Sequence, residues 1–200
     1  MSAQAAQIVD WKAHLPQGAG AEELYKSFKE KAEALTVKVI RASSKEEAEK
    51  AIVAEMKELK IKKAVGVPMT LVDVQAIKEA LEREKIKFSL ELDRDFIEQA
   101  EFGISEFDLG IAELGTIVQD ANSVHKRLVS MLPPTHLAVI STKTIVETFA
   151  DSLEVIEKVY NGNPSNFLAF VTGPSKTADI ERVLTIGVHG PGRLIVVCVD

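Results

Sequence analysis

Residues 36–67 read TVKVIRASSKEEAEKAIVAEMKELKIKKAVGV and pass through two hydrophobic periods. Residues 36–40 alternate apolar and polar side chains, which is typical of a half-buried strand. Apolar side chains then recur at helical spacing, at Ala48, Ile52, Met56 and Leu59. A short apolar run at residues 64–67 follows and is ended by Pro68. This strand–helix–strand order predicts parallel strands joined by a helix that covers the sheet.

The same alternation continues on both sides of this stretch. A helical stripe covers residues 21–35 and another covers residues 74–81, after which residues 86–90 alternate as a strand. Four short apolar runs in the second half are typical of fully buried strands, at residues 109–112, 137–140, 167–171 and 194–199. We therefore predict an α/β fold whose largely parallel sheet is covered by helices on both faces. No repeat or linker divides the chain, which predicts one domain at residues 21–200 after an N-terminal arm at residues 1–20.

Composition and charge exclude several classes of protein. The 200 residues carry 24 Lys and Arg against 30 Asp and Glu, a formal net charge of −6 that gives no electrostatic footprint for nucleic acid or anionic membrane. The single cysteine, Cys198, excludes a disulfide framework and any iron–sulfur cluster held by this chain alone. No apolar run approaches the ~20 residues of a membrane span, and the first residues lack the pattern of a secretion signal. We expect a cytoplasmic protein.

The loop at residues 172–181, TGPSKTADIE, is the sharpest candidate for a ligand site. It follows a buried run and precedes a predicted helix, so its free backbone N–H groups would suit a phosphate or carboxylate. Asp179 would repel that anion unless Lys176 compensates for its charge. A well-capped helix start explains the same residues equally well. The candidate binding residues are Gly173, Pro174, Ser175, Lys176, Thr177 and Asp179.

A second candidate is Glu113, which lies beside a glycine between two buried runs in the sequence AELGT, residues 112–116. A desolvated carboxylate there would serve as a general base or nucleophile, with Thr116 in the same loop. A structural carboxylate that accepts backbone N–H groups is the alternative, and the residues alone favour it.

Two further loops each place a histidine before a buried strand. Residues 127–136 read RLVSMLPPTH and offer Arg127, Ser130 and His136, while residues 187–191 read GVHGP and offer His189 and Gly190. A lone histidine is usually a hydrogen-bonded structural residue, but two in such loops suggest one shared cleft. A metal site built from these histidines and Glu113 is left open, although no local ligand spacing supports it. The chain has no dinucleotide fingerprint, P-loop or nucleophile elbow, which disfavours a self-contained dehydrogenase, kinase or serine hydrolase.

These loops, taken in order, resemble the LUD family of lactate-utilization proteins. The matching stretches are residues 111–116, 127–136, 173–181 and 187–191. Two positions depart from the family pattern: Leu114 stands where the family usually has Thr, and Lys176 stands where Arg is common. The resemblance implies a three-layer α/β/α sandwich with a parallel or mixed sheet, like that of ribose-phosphate isomerases and coenzyme A transferases. It also implies a role in oxidising L-lactate to pyruvate with separately encoded iron–sulfur proteins.

Two hypotheses of different classes follow. In the first, the protein is a non-redox subunit that binds a small carboxylate or phosphorylated ligand, with no cofactor of its own and with clusters or flavin on its partners. In the second, it is a stand-alone acyl-transfer or sugar-phosphate enzyme that uses Glu113 as nucleophile or base, which rests partly on fold analogy. Both require the polar side chains of the C-terminal half to meet around one hollow at the rim of the sheet.

Overall fold

Six parallel strands form the central sheet of the computed structural model, which describes residues 10–178 and 184–200. In chain order these strands are β1 (Lys38–Ala42), β2 (Lys63–Gly66), β3 (Lys87–Ser89), β4 (Phe102–Glu106), β7 (Thr135–Ser141) and β12 (Arg193–Val199). Across the sheet they lie in the order β1-β12-β7-β4-β2-β3, and every neighbouring pair is parallel. The expectation of an α/β fold with a largely parallel sheet is confirmed.

The described part contains six α-helices, of which the first five cover the two faces of this sheet and the last packs on the second sheet. They are α1 (Glu22–Ala34), α2 (Lys45–Glu58), α3 (Val74–Arg83), α4 (Arg94–Glu98), α5 (Val124–Met131) and α6 (Phe149–Tyr160). Two of them begin at a side-chain cap: Ser44 accepts the Glu47 N–H, and Asp73 accepts the N–H groups of Gln75 and Ala76. No helix among the described residues is long and apolar enough to cross a membrane.

The alternation of side chains along β7 separates two apolar cores. Leu137 and Val139 pack in a cluster with residues of α2 and α3, such as Ile52 and Leu81. The intervening residues, such as Ala138, face the other way and pack with Phe28 of α1. Strand β7 is buried along its whole length because both of its faces are covered.

A second sheet lies against the α1 side of the central sheet. Its order is β8-β5-β6-β9, from β5 (Leu109–Ile111), β6 (Thr116–Asp120), β8 (Ile145–Val146) and β9 (Leu168–Val171). It is mixed, since β6 is antiparallel to both β5 and β9 while β5 and β8 are parallel. Helix α6 packs on it, with Val155 and Ile156 in one cluster with Trp11. The sequence pattern predicts strands at β5 and β9, but it does not predict β6, β8 or the separation of these strands into a second sheet.

The helix predicted after Gly173 is wrong at residues 176–178 and at Leu184, and the rest of its expected apolar stripe lies at residues 179–183, outside the described part of the chain. Residues on both sides of the undescribed segment form strands instead: β10 (Lys176–Ala178) pairs antiparallel with β11 (Leu184–Ile186). Thr177 and Thr185 face each other in this ladder, and β-branched residues favour extended backbone. A helix N-terminus is therefore not available to an anion at this point.

Candidate functional site

A pocket of about 580 Å³ brings most of the predicted binding residues together. We call it the Arg127 pocket. It lies between α5, β9 and the loops at residues 172–176 and 189–191. The predicted residues that line it are Arg127, Ser130, His136, Gly173, Pro174, Ser175, Lys176, His189 and Gly190. Three of the four loops that the sequence singles out therefore converge on one hollow.

The position of this pocket differs from the position expected for a parallel sheet. His136 and Leu194 line it, and each is the second residue of its strand, β7 and β12. The pocket therefore opens at the amino ends of these strands. Open α/β sheets usually bind ligands at the carboxyl ends. Loops from the C-terminal half build this site. Among the described residues, no helix that connects two parallel strands begins there.

His136 sits in a buried polar chain. Its Nε2 lies 2.9 Å from Ser105 Oγ, which also accepts a hydrogen bond from Gln119 Nε2 at 3.2 Å. The Gln119 amide nitrogen donates to the Glu106 carbonyl at 2.6 Å, which fixes the orientation of the amide. The hydrogen of the buried Ser105 hydroxyl needs an acceptor, and among the described residues His136 Nε2 is the acceptor that it meets, so Ser105 donates to Nε2 and the ring proton lies on Nδ1. Burial lowers the pKa of His136 to about 3, so the imidazole is neutral at physiological pH.

Arg127 supplies fixed positive charge. Its Nη1 donates to the carbonyls of Ala121 and Asn122 at 2.6 and 2.9 Å, and its guanidinium lies 4.1 Å from the centroid of the Phe167 ring. No carboxylate of the described chain lies within ion-pair distance of it. Nε and Nη2 therefore remain as donors in a group that the ring and the two carbonyls hold in place.

The pocket is positive overall. Lys176 joins Arg127 in its lining, its Nζ meeting only the Leu35 carbonyl at 3.4 Å among the described residues. No Asp or Glu of the described chain lines the pocket. Low-dielectric walls strengthen such a field, so the arrangement favours an anionic ligand.

The Gly173–Ser175 turn offers fewer free amides than we expect from the sequence, because Pro174 has no N–H and the Ser175 N–H is already bonded. The Ser175 N–H donates to the Pro191 carbonyl at 2.9 Å, and the Gly187 N–H donates to the Ser175 carbonyl at 2.9 Å. Ser175 Oγ also accepts the His189 N–H at 3.4 Å. These bonds tie the two loops to each other. Thr177 lies in β10 outside the pocket lining, and Asp179 lies outside the described residues.

Glu113 and Thr116 do not line the Arg127 pocket. Glu113 is exposed, and its Oε2 accepts the Phe149 N–H at the start of α6 at 3.0 Å. Thr116 is buried, with its Oγ1 2.7 Å from Thr172 Oγ1. The expected meeting of this carboxylate with His136 and His189 is not seen. Within residues 10–178 and 184–200, no three His, Cys, Asp or Glu side chains are arranged to hold a metal ion.

The sequence pattern does not predict the aromatic wall of the pocket or the groups that hold His136. Phe167 and Phe170 are 50% and 39% exposed, although their run is predicted to be a fully buried strand. They are exposed because β9 forms a pocket wall and is not a core strand. Ser105 and Gln119 are fully buried. The sequence does contain a signal for Ser105 and Gln119, because a polar side chain inside a buried strand requires a hydrogen-bond partner.

The comparisons with known proteins agree with this fold. A family model described as "LUD domain" matches residues 25–199. Lactate utilization protein C of Geobacillus sp. (strain WCH70) is 43% identical over 100 residues, 48% of this chain and 41% of that protein. An uncharacterized protein of Neisseria meningitidis serogroup B is 34% identical over 119 residues, 58% of this chain and 51% of that protein. The chain thus spans about half the length of the curated relatives it matches.

A solved structure shares the fold. A DUF162 family protein from Deinococcus radiodurans superposes with a TM-score of 0.64 at 20% sequence identity, covering 89% of this chain and 97% of that one. At this identity the likeness shows the architecture and carries no statement about ligands. The family resemblance that the order of the loops suggests is therefore supported by the family model, and the solved structure shares the fold.

Proposed function

Since the chain belongs to the LUD domain family, we propose that it is a non-redox component of a lactate-utilization system. In this proposal it binds a small anionic ligand in the Arg127 pocket and acts with iron–sulfur partner proteins. Several relatives at 37–43% identity carry the name lactate utilization protein C. The observation that carries the ligand class is the charge of the pocket, which has two cations and no described carboxylate in its lining.

The side chains of the pocket suit a small carboxylate such as L-lactate or pyruvate. Two parallel donors of a guanidinium match the two oxygens of a carboxylate, and Arg127 keeps Nε and Nη2 for this purpose. Neutral His136, with its proton on Nδ1, would donate to a hydroxyl or carbonyl oxygen. The rings of Phe167 and Phe170 would exclude water from the apolar part of the ligand.

Redox chemistry in this proposal belongs to the partners. Oxidation of lactate removes two electrons, which clusters or a flavin can accept. Cys198, the only cysteine, is fully buried in β12, and burial raises the pKa of its thiol to about 12. An iron–sulfur cluster needs several thiolates, so the partner chains would hold it.

The contacts of Glu113 with the described residues do not favour the alternative hypothesis, a stand-alone enzyme that uses this carboxylate as nucleophile or base. The exposed carboxylate is already bound to the first N–H of α6, and it does not line the Arg127 pocket. A nucleophile or general base needs a substrate position within hydrogen-bonding reach. The role of this residue that the contacts support is that of a helix cap.

A ligand panel tests the binding half of the proposal. L-Lactate, pyruvate and inorganic phosphate are compared with propane-1,2-diol, a neutral analogue of lactate, by thermal shift. We expect at least one anion to raise the melting temperature in a concentration-dependent way and the diol to have no effect. Equal responses to the diol and to all the anions would remove the support for an anion site.

Purification of the native protein tests the partner half. From cells grown on lactate, the protein is expected to retain an iron–sulfur protein, detected by its visible absorbance and by mass spectrometry. Deletion of the gene is expected to slow growth on lactate and to leave growth on glucose unchanged. Isolation without any such protein, together with normal growth of the deletion strain on lactate, would contradict the proposal.

A further inference from the structure

A second cavity, of about 1230 Å³, lies at the opposite end of the central sheet. We call it the Asp108 cavity. Its lining includes residues that follow three strands of the sheet. They are Thr70 and Leu71 after β2, residues 106–108 at the end of β4, and Ser141, the last residue of β7. From β2 the chain continues to β3 on one side, whereas β4 lies on the other side. This is the switch point where open α/β sheets bind ligands.

The charge of this cavity is opposite to that of the Arg127 pocket. Four carboxylates line it against two ammonium groups: Asp10, Glu106, Asp108 and Asp120 against Lys12 and Lys126. A small anion would be repelled here, whereas a cation would be attracted. The two cavities therefore select ligands of opposite sign.

Three hydroxyl groups of the lining have already donated their only hydrogen. Thr70 donates to Glu106 Oε1 at 2.7 Å, while Tyr160 and Ser165 donate to the two oxygens of Asp120 at 2.5 and 2.9 Å. A hydroxyl has one hydrogen and two lone pairs. These groups can therefore only accept further hydrogen bonds, and a ligand that supplies donors suits them.

Asp108 is the carboxylate of this cavity that keeps an oxygen available to such a ligand. Its Oδ2 accepts the Asp120 N–H at 2.6 Å, and no donor among the described residues is bonded to its Oδ1. No Lys or Arg of the described chain lies within ion-pair distance of it. Burial raises the pKa of this carboxyl to about 6, so it is mostly ionised at neutral pH.

We propose that the Asp108 cavity is a second ligand site, which takes a small primary amine in its protonated form and binds the ammonium group at Asp108 Oδ1. An ammonium group has three donors and no acceptor, which matches a lining that offers acceptors. A bare metal ion fits less well, since no three acidic, His or Cys side chains of the described chain are arranged to hold one. This site is independent of the proposed function of the Arg127 pocket.

The chain contains its own reporter for this site. Trp11 is the only tryptophan, lines the Asp108 cavity and packs edge-on against Tyr160 at 5.8 Å between ring centroids. The experiment titrates the full chain at pH 7.5 with 4-aminobutan-1-ol and follows tryptophan fluorescence. Butane-1,4-diol, which has the same length and no charge, is the matched control. We expect a saturable change with the amine and none with the diol.

Two variants assign the response to Asp108. Asp108→Asn keeps an acceptor for the Asp120 N–H but loses the charge, so we expect at least about tenfold weaker binding of the amine. Asp95→Asn, an exposed residue of α4, is the matched control and should bind as the wild type does. Lys126→Met removes a competing cation and should tighten binding by about threefold.

The pH dependence gives a readout that does not require a variant. Asp108 faces Lys126 of α5, Asp120 of β6, Glu106 of β4 and Tyr160 of α6. Protonation of its carboxyl should weaken amine binding as the pH falls below about 6. Equal fluorescence responses to the amine and the diol, unchanged affinity in Asp108→Asn, or unchanged affinity from pH 7.5 to pH 5 would each overturn the proposal.

Discussion

Two buried titratable side chains, His136 and Asp108, set opposite pH dependences at the scale of single residues. The pKa of His136 falls from 6.5 to about 3 on folding, so its contribution to stability is lost as the pH falls below 6.5. The pKa of Asp108 rises from 3.8 to about 6, so its contribution is present below 3.8 and is lost as the pH rises toward 6. Between pH 4 and pH 6 the two effects oppose each other.

Replacement of Asp108 separates these contributions. In Asp108→Asn the opposing carboxyl effect is absent, so the free energy of unfolding should rise between pH 4 and pH 6 more steeply than in the wild type, by up to about 1.4 kcal/mol per pH unit. Urea denaturation at several pH values measures this slope. A slope equal to that of the wild type, or to that of the exposed control Asp95→Asn, would show that Asp108 has an ordinary pKa.

At the scale of elements, the turn between β5 and β6 is held against α1 by a glycine. Gly115 has a φ of +62°, and a Cβ there would lie 2.4 Å from the backbone nitrogen of Ala32. Gly115→Ala should therefore lower the free energy of unfolding by at least about 2 kcal/mol. Gly162→Ala is the matched control, because its φ is +74° but its surroundings are open. We expect it to cost about 1 kcal/mol, and equal losses in chemical denaturation would contradict the contact with α1.

Helix α6 provides a test of the role of Glu113. Glu113→Ala removes the acceptor for the Phe149 N–H, so the free energy of unfolding should fall by about 1 kcal/mol. Binding of anions in the Arg127 pocket should not change, since this side chain does not line it. Loss of binding or of a measurable activity without loss of stability would restore the catalytic interpretation.

The sequence predicts the central sheet well and the second half less well, for physical reasons. Alternation predicts β1, helical spacing predicts α2 and a continuous apolar run predicts β2, because each of these local patterns is strong and matches the burial of the element. The segment after Gly173 has apolar spacing that fits a helix, yet its flanks pair as β10 and β11, so tertiary pairing decides the outcome. Which loops converge depends on the register of strands that are distant in sequence, and the local pattern does not contain this register. For this reason the sequence wrongly predicts that Glu113 lies beside His136 and His189.

At the scale of the whole molecule, two cavities of opposite charge lie near opposite ends of the central strands and share Asn166 in their linings. The Arg127 pocket lies at the amino ends of β7 and β12, and the Asp108 cavity lies at the carboxyl ends of β2, β4 and β7. The polar chain of His136, Ser105 and Gln119 connects the first pocket with the Glu106 carbonyl beside the second.

Isothermal titration of L-lactate, pyruvate and phosphate into the wild type and Arg127→Gln tests the anion pocket most directly. Charge-assisted hydrogen bonds contribute about 1.5–3 kcal/mol, so loss of the guanidinium should weaken binding at least about tenfold. Arg94→Gln, in which an exposed arginine of α4 is changed, should bind as the wild type does. Saturable binding by the wild type and its loss in Arg127→Gln is the predicted result. No binding of any of the three anions by the wild type, or equal affinity in Arg127→Gln, would contradict it.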